Sequence, residues 1–269
     1  MKDNKIWRVS TGIDRLDKCT EGGFPKNSFT VVTGDIGTGR TIFSYQYLQA
    51  GIRNDEKGLL ISTTPHINSI LQQAKCFRWN FKQMIDEDML TIHYIDPKTL
   101  CEWKAIDEIE HLLQKKQYDR LVLDNLTIIA CGPMSPFNIV TLTEWGWKNL
   151  PFYDTALKNI ARIIGFSDKY EVTTYAVSQK IQGRPGDTFD TISDQLADSL
   201  ILLTKEVINK ECHRYLIVKK LRYTKHDIVQ HEFQFTEKGI AFINDRPDVD
   251  IFIKNKKIMK DTSDDLLKK

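Results

Sequence analysis

The sequence predicts an α/β fold: a mostly parallel central sheet flanked by helices, with antiparallel strands toward the C-terminus. Three observations carry the prediction. Short apolar runs alternate with helical stretches, the pattern of parallel strands joined by crossover helices. The apolar run Phe29 to Thr33 leads directly into a glycine loop, Gly34-Asp35-Ile36-Gly37-Thr38-Gly39-Arg40-Thr41, and a helical run follows it. The last apolar runs follow one another closely and read as hairpins.

In chain order, Phe29–Thr33 is the first strand, and Thr41–Gly51 is the helix that the loop opens. Leu59–Ser62 is the next strand. Asn68–Arg78 is helical, because Ile70, Leu71 and Ala74 fall on one face. Leu90–Ile95 is a strand and Trp103–Lys116 an amphipathic helix. Leu121–Leu123 is a strand ending at Asp124. Thr155–Gly165 is a helix and Val172–Val177 a strand. Leu200–Leu203, Tyr215–Lys219, Glu232–Phe235 and Ile240–Ile243 close the core. A long irregular insert, about residues 131–152, holds Trp145, Trp147, Phe152 and several prolines and glycines. Loops of this length are uncommon in compact domains and are often functional. Its aromatics either cover a sheet edge or offer a surface to a protein partner. The module is expected over residues 1–245, with a charged tail over 246–269.

The 269 residues are 41% hydrophobic, enough for a substantial core. Thirty-eight basic residues nearly cancel 36 acidic ones, so no global field recruits nucleic acid or an acidic membrane. The five cysteines are scattered and never spaced C-x-x-C, which argues against a zinc site or a disulfide framework. There is no apolar signal core at the N-terminus and no run long enough to span a membrane, so a cytoplasmic, soluble chain is expected.

The glycine loop fits the phosphate-binding pattern G-x-x-x-x-G-K-[ST] at Gly34, Gly39 and Thr41, with Arg40 in the lysine's place. Gly34, Gly37 and Gly39 let backbone N–H groups turn onto phosphate oxygens, and Asp35 and Thr38 complete the loop. Thr41 would place its hydroxyl on Mg²⁺. Arginine keeps the lysine's charge, but its planar fork is larger and prefers bidentate partners. Arg40 should therefore preserve phosphate binding better than it preserves γ-phosphate positioning. The strand ending in Asp124 is a Walker B pattern, whose carboxylate would hold Mg²⁺ opposite Thr41.

Several segments together resemble the KaiC-like ATPases of the RecA superfamily. They are Ser10-Thr11-Gly12-Ile13-Asp14-Arg15-Leu16-Asp17, Glu21 to Ser28, and Ala74 to Phe81. Further on come Asp124-Asn125-Leu126-Thr127, Gln195 to Ile201, Lys219 to His226, and Phe235 to Ile240, all in the family's order. The resemblance implies a RecA-like core that binds ATP or ADP with Mg²⁺. It also implies homo-oligomeric rings, often hexamers, with nucleotide between subunits. Lys220 and Arg222 would reach a neighbour's γ-phosphate, and Ser178-Gln179 falls where a γ-phosphate sensor sits. Lys180 and Arg184 lie where relatives carry a pore loop, the one place where nucleic acid would be met. Two departures stand out: Arg40, and Thr64-Pro65 where the family carries a Glu pair that polarises water. Neither Thr64 nor Pro65 can act as a base, and losing a positioned base costs about 10²–10⁴-fold in rate. The expectation is a nucleotide-binding protein with slow or absent hydrolysis, acting as an oligomeric regulator or scaffold. Two alternatives stay open: an ATPase or autokinase using another base, and a DNA-recombination accessory protein.

Overall fold

Apolar side chains face both sides of the central strands, so helices must cover both sides. The structure, a computed structural model, describes residues 6–64, 66–96, 104–131, 153–180 and 186–243. A lead-in comprises β1 (Arg8–Val9), α1 (Asp14–Cys19) and β2 (Phe24–Pro25), with β1 and β2 antiparallel. Then come β3 (Phe29–Gly34), α2 (Arg40–Ile52), β4 (Gly58–Ser62), α3 (Ile67–Cys76), α4 (Phe81–Asp86) and β5 (Leu90–Tyr94). They are followed by α5 (Lys104–Lys115), β6 (Arg120–Asp124), α6 (Leu126–Cys131), α7 (Tyr153–Lys169) and β7 (Thr173–Val177). Last are α8 (Ser193–Leu196), β8 (Ser199–Ile208), β9 (Glu211–Leu221), β10 (Gln230–Thr236) and β11 (Gly239–Phe242).

These strands form a nine-stranded sheet in the order β11-β10-β9-β8-β3-β7-β6-β4-β5. From β8 to β5 every pairing is parallel, and from β8 to β11 every pairing is antiparallel. Successive strand residues alternate between two cores. Val32, Leu60, Val122, Tyr175 and Val177 pack with Phe43, Tyr47 and Leu48 of α2 and with Ile70 and Phe81. Val31, Leu59, Ile61, Leu121 and Leu123 pack with Ile109 of α5 and with Ile160, Ile163 and Phe166 of α7. The expected α/β class and the closing antiparallel strands are both present.

Several boundaries differ from the sequence expectation. The second helix stops at Cys76 because Arg78 is left-handed (φ 60°), and Asn80 then caps a short helix, its side chain accepting from Gln83 N. The helix expected at Thr155–Gly165 runs over Tyr153–Lys169, since the apolar face continues through Phe166. β8 and β9 extend well beyond their apolar centres. Asn209 and Lys210, both at positive φ, make the tight turn that lets their solvated ends pair. The insert after Cys131, the tail, Pro65, Trp103 and Arg184 lie outside the described residues.

One charged side chain is wholly inside. Arg120, at the start of β6, is 0% exposed. It donates to Ser10 O at 2.8 Å and Tyr47 O at 2.6 Å, pairs with Glu56, and stands 4.4 Å over the Tyr47 ring. It thereby ties the lead-in, α2 and β6 together at the end of the sheet remote from the glycine loop. Breaking a buried pair of this kind costs about 3–5 kcal/mol. Arg120→Ala should lose stability on that scale in urea unfolding, with nucleotide-site geometry untouched.

Candidate functional site

The parallel register brings the C-terminal ends of β3, β4, β6 and β7 to one edge of the sheet. Ser62 is paired with Asp124, and Val32 with Val177, so the residues that follow them share one crevice. The glycine loop leaves β3 at Gly34, where a Cβ would lie 2.2 Å from Leu203 O. That approach, at φ 152°, admits only glycine. Gly39 caps α2 at φ 104°, and a Cβ there would strike the Phe235 ring at 2.6 Å. Thr38 is buried and donates to Asp35 O at 2.9 Å, closing the loop on itself.

Asp124, Thr41 and Arg40 meet in this crevice. The Thr41 hydroxyl hydrogen-bonds the Asp124 carboxyl, and Arg40 stands near enough to favour its charged form. Burial outweighs both and raises the Asp124 pKa above the ordinary carboxylate range. Arg40 does not run free along the loop. Its Nη1 donates to Ser178 O in a short hydrogen bond, while its own carbonyl accepts from Tyr175 Oη at 3.0 Å. Burial lowers the Arg40 pKa, and Asp124, Tyr175 and Asp35 oppose that shift. An arginine stays protonated under such a shift. Tyr175 is pushed well above its usual range, by burial and then by the Asp124 charge.

Ser178 and Gln179 join the same network. Gln179 N donates to Thr127 Oγ1 at 3.1 Å, and the Thr127 and Ser178 hydroxyls are 3.3 Å apart. Asn125 Oδ1 accepts from Thr127 N at 2.8 Å, fixing the turn after Asp124. At the end of β4, Thr63 N donates to Asp124 O at 2.9 Å, and Thr64 is exposed with its N–H on Ser62 Oγ at 3.0 Å. Hydroxyls, not carboxylates, therefore follow β4.

Two cations that sequence reasoning did not single out flank the loop. Lys205 Nζ donates to Ile36 O at 2.6 Å, and Arg214 Nε donates to Gly37 O at 3.3 Å while stacking over Phe235. The register could have found Lys205. It lies two residues beyond Leu203, the partner of Gly34, and so on the same side of the strand.

Lys220 and Arg222 are elsewhere. Lys220 Nζ donates to Gln195 O at 2.9 Å, and Arg222 pairs with Asp198 at 3.4 Å. Asp198 in turn accepts from Phe29 N, at the opposite end of β3 from Gly34. Five residues of strand, roughly 16 Å, separate the two ends. Lys180 is paired with Asp187 at 3.3 Å.

The residues fit a phosphate and a divalent cation. Gly37 and Gly39 hold positive φ, the backbone that turns N–H groups inward, and the protein's own groups do not fully offset the burial of the Asp124 carboxylate. No helix among the described residues is long and apolar enough to cross a membrane.

Comparison with known proteins places this geometry. The family model described as "ATPase: KaiC" matches residues 9–135 and 153–246. A UPF0273 protein of Thermotoga maritima is 27% identical over 252 residues, covering 88% of this chain and 96% of the relative. The circadian clock oscillator protein KaiC of Prochlorococcus marinus is 27% identical over 253 residues, covering 88% of this chain but 46% of that protein. The chain thus spans about half the length of that relative. The crystal structure of a KaiC-like protein from Pyrococcus horikoshii OT3 superposes with a TM-score of 0.72 at 22% identity, covering 89% of this chain and 100% of the other. It shares the fold.

The raised Asp124 pKa has a sign that can be checked. A carboxyl whose pKa rises on folding stabilises the protein least once pH exceeds that folded value. Nucleotide-free Asp124→Asn should therefore melt above the wild type at neutral pH. The gap should narrow as pH falls through the raised folded pKa and be closed by about pH 4, the ordinary carboxylate range. Thermal melts across pH, without nucleotide, measure it.

Proposed function

Because the chain belongs to the KaiC ATPase family, we propose that it is an ATP- or ADP-binding protein that turns nucleotide over slowly or not at all. In this reading it works as a nucleotide-dependent oligomeric regulator or scaffold. The observation that carries the proposal is Arg40, anchored to Ser178 O beside Asp124. The charge that a Walker lysine would bring to the phosphates is here committed to the protein's own network. Backbone N–H groups of the loop hold the phosphates, and Thr41 and Asp124 hold Mg²⁺. Mg²⁺ held there would supply charge that screens the phosphates and the partly buried Asp124 carboxylate.

Hydrolysis needs a base to orient water, and Thr64 offers a hydroxyl where the family carries a carboxylate. Binding depends less on that group than chemistry does, so the two properties separate. Ser178 and Gln179, through Thr127 and Arg40, link the nucleotide's neighbourhood to the end of β7.

The position of Lys220 and Arg222 supports assembly. They stand at the end of β3 opposite the glycine loop of their own chain, a position that fits service to a neighbour's nucleotide and not to their own. A ring in which each chain's β9 end meets the next chain's loop satisfies that geometry.

Mg-ATP and Mg-ADP should both raise the melting temperature, while turnover stays below about 1 s⁻¹. Absence of any shift, or turnover above that rate, overturns the reading. Thr64→Glu with Pro65→Glu should raise turnover by about 10²-fold or more if the missing base is limiting. Light scattering with and without nucleotide should show assembly, and Arg222→Ala should weaken nucleotide binding only in the assembled state.

A further inference from the structure

The lead-in helix and the connection between β9 and β10 bring together three groups outside the nucleotide site. Cys19 ends α1, Asp227 lies in the connection, and His231 is the second residue of β10. The thiol sulfur, a carboxylate oxygen and an imidazole nitrogen all lie within 4.8 Å of one another. His231 Nε2 is 3.1 Å from Asp227 Oδ1. The His231 ring is stacked on Phe242, with centroids 5.0 Å apart and planes within 9°, so its direction is fixed.

We propose that Cys19, Asp227 and His231 form a site for one divalent transition-metal ion, zinc being the best match, which ties α1 to the β9–β10 connection. One thiolate, one imidazole and one carboxylate suit zinc, whereas magnesium and calcium take oxygen ligands. Tetrahedral zinc, with bonds of about 2.0 Å to nitrogen and 2.3 Å to sulfur, sets its ligand atoms roughly 3.3–3.6 Å apart. The His231–Asp227 spacing already approaches this. The sulfur closes by a shift of about 1 Å, within reach of a side-chain rotation. Three protein ligands leave a fourth position for water.

The same trio does not suit a nucleophilic cysteine. Burial, and then Asp227, push the Cys19 thiol up and keep it protonated, with Arg15 the opposing cation. A metal reverses that balance, because coordination binds the thiolate and releases the proton. Asp227 and His231 lie four residues apart but Cys19 is far from both in sequence, so no spacing in the sequence marks the site.

The ion would add a second tie to one already present. Arg8 in β1 donates to Tyr223 O at 3.0 Å and to the Thr224 hydroxyl. Both contacts hold the connection that begins at Arg222, so metal occupancy would stiffen the segment that carries the inter-subunit cations. That consequence rests on the function proposed above; the metal site does not.

Cobalt(II), titrated into the untagged full-length protein without nucleotide, is the probe. One cobalt per chain should bind, with a thiolate-to-cobalt charge-transfer band in the near ultraviolet. Cys19→Ser should abolish the band, while Cys76→Ser and Cys212→Ser, at exposed positions, should leave it unchanged. His231→Ala and Asp227→Asn should each weaken cobalt binding by about tenfold or more, since even outer partners of ligands are worth about 10–100-fold. Asp227 is exposed, so its variant keeps the test valid if Cys19→Ser misfolds by circular dichroism. Zinc should displace the cobalt. No stoichiometric band, a band that survives Cys19→Ser, or affinity unchanged in Asp227→Asn overturns the proposal. Because nucleotide is absent, failure here is distinct from failure of nucleotide binding.

Discussion

A carboxylate at the end of a central parallel strand cannot sit in the protein uncompensated, and the site is organised around that constraint. Asp124 is held by the Thr41 hydroxyl and by the charge of Arg40, and burial still dominates its titration. The effective penalty for an unpaired buried ion is several kcal/mol, more than one hydroxyl hydrogen bond returns. Arg40 therefore has two tasks in the nucleotide-free chain: to offset Asp124 and to satisfy Ser178 O. Its anchoring joins the start of α2 to the end of β7, while Thr41 joins α2 to the end of β6. A cation entering beside Asp124 would compete with Arg40 for the same carboxylate. The protein's own groups thus offset the Asp124 charge only in part.

The sheet explains why that site sits at one end and the cationic connection at the other. Parallel pairing from β8 through β5 places all C-terminal strand ends together, and the antiparallel return of β9 carries the chain back to the N-terminal end of β3. Lys220 and Arg222 fall at that return. Arg120 stabilises the same remote end through Ser10 O and Tyr47 O, and the lead-in is built onto it. Arg120 and the Lys220–Arg222 pair therefore share one end of the sheet, and the glycine loop with Asp124 has the other.

Much of this was legible in the chain. The loop from Gly34 to Thr41, the strand ending at Asp124 and the position of Ser178 after β7 all follow from short-range pattern, because strand ends and phosphate loops are local. The helix boundaries at Cys76 and Lys169 were less legible, since a left-handed Arg78 and a continued apolar face are settled by packing. Arg120 was not singled out, since the expected strand began after it, at Leu121. A buried arginine needs two carbonyls, a ring and a carboxylate from distant segments, and sequence order does not show their convergence. The direction of Arg40 was not legible for the same reason: sequence gives the charge, and the Ser178 carbonyl decides where it points.

The cations around the loop divide by what they touch. Arg40 faces inward to Ser178 O and Asp124, whereas Lys205 and Arg214 hold the carbonyls of Ile36 and Gly37 from the side of β8 and β9. Hydrogen bonds to those carbonyls brace the loop in its present conformation. Phe235, against Gly39 and under Arg214, adds an apolar brace. Preorganisation lowers the cost of binding a phosphate without accelerating its transfer, because ground and transition states gain alike. A loop braced from outside, with its own cation turned inward and hydroxyls after β4, is the arrangement on which the proposed retention of nucleotide rests.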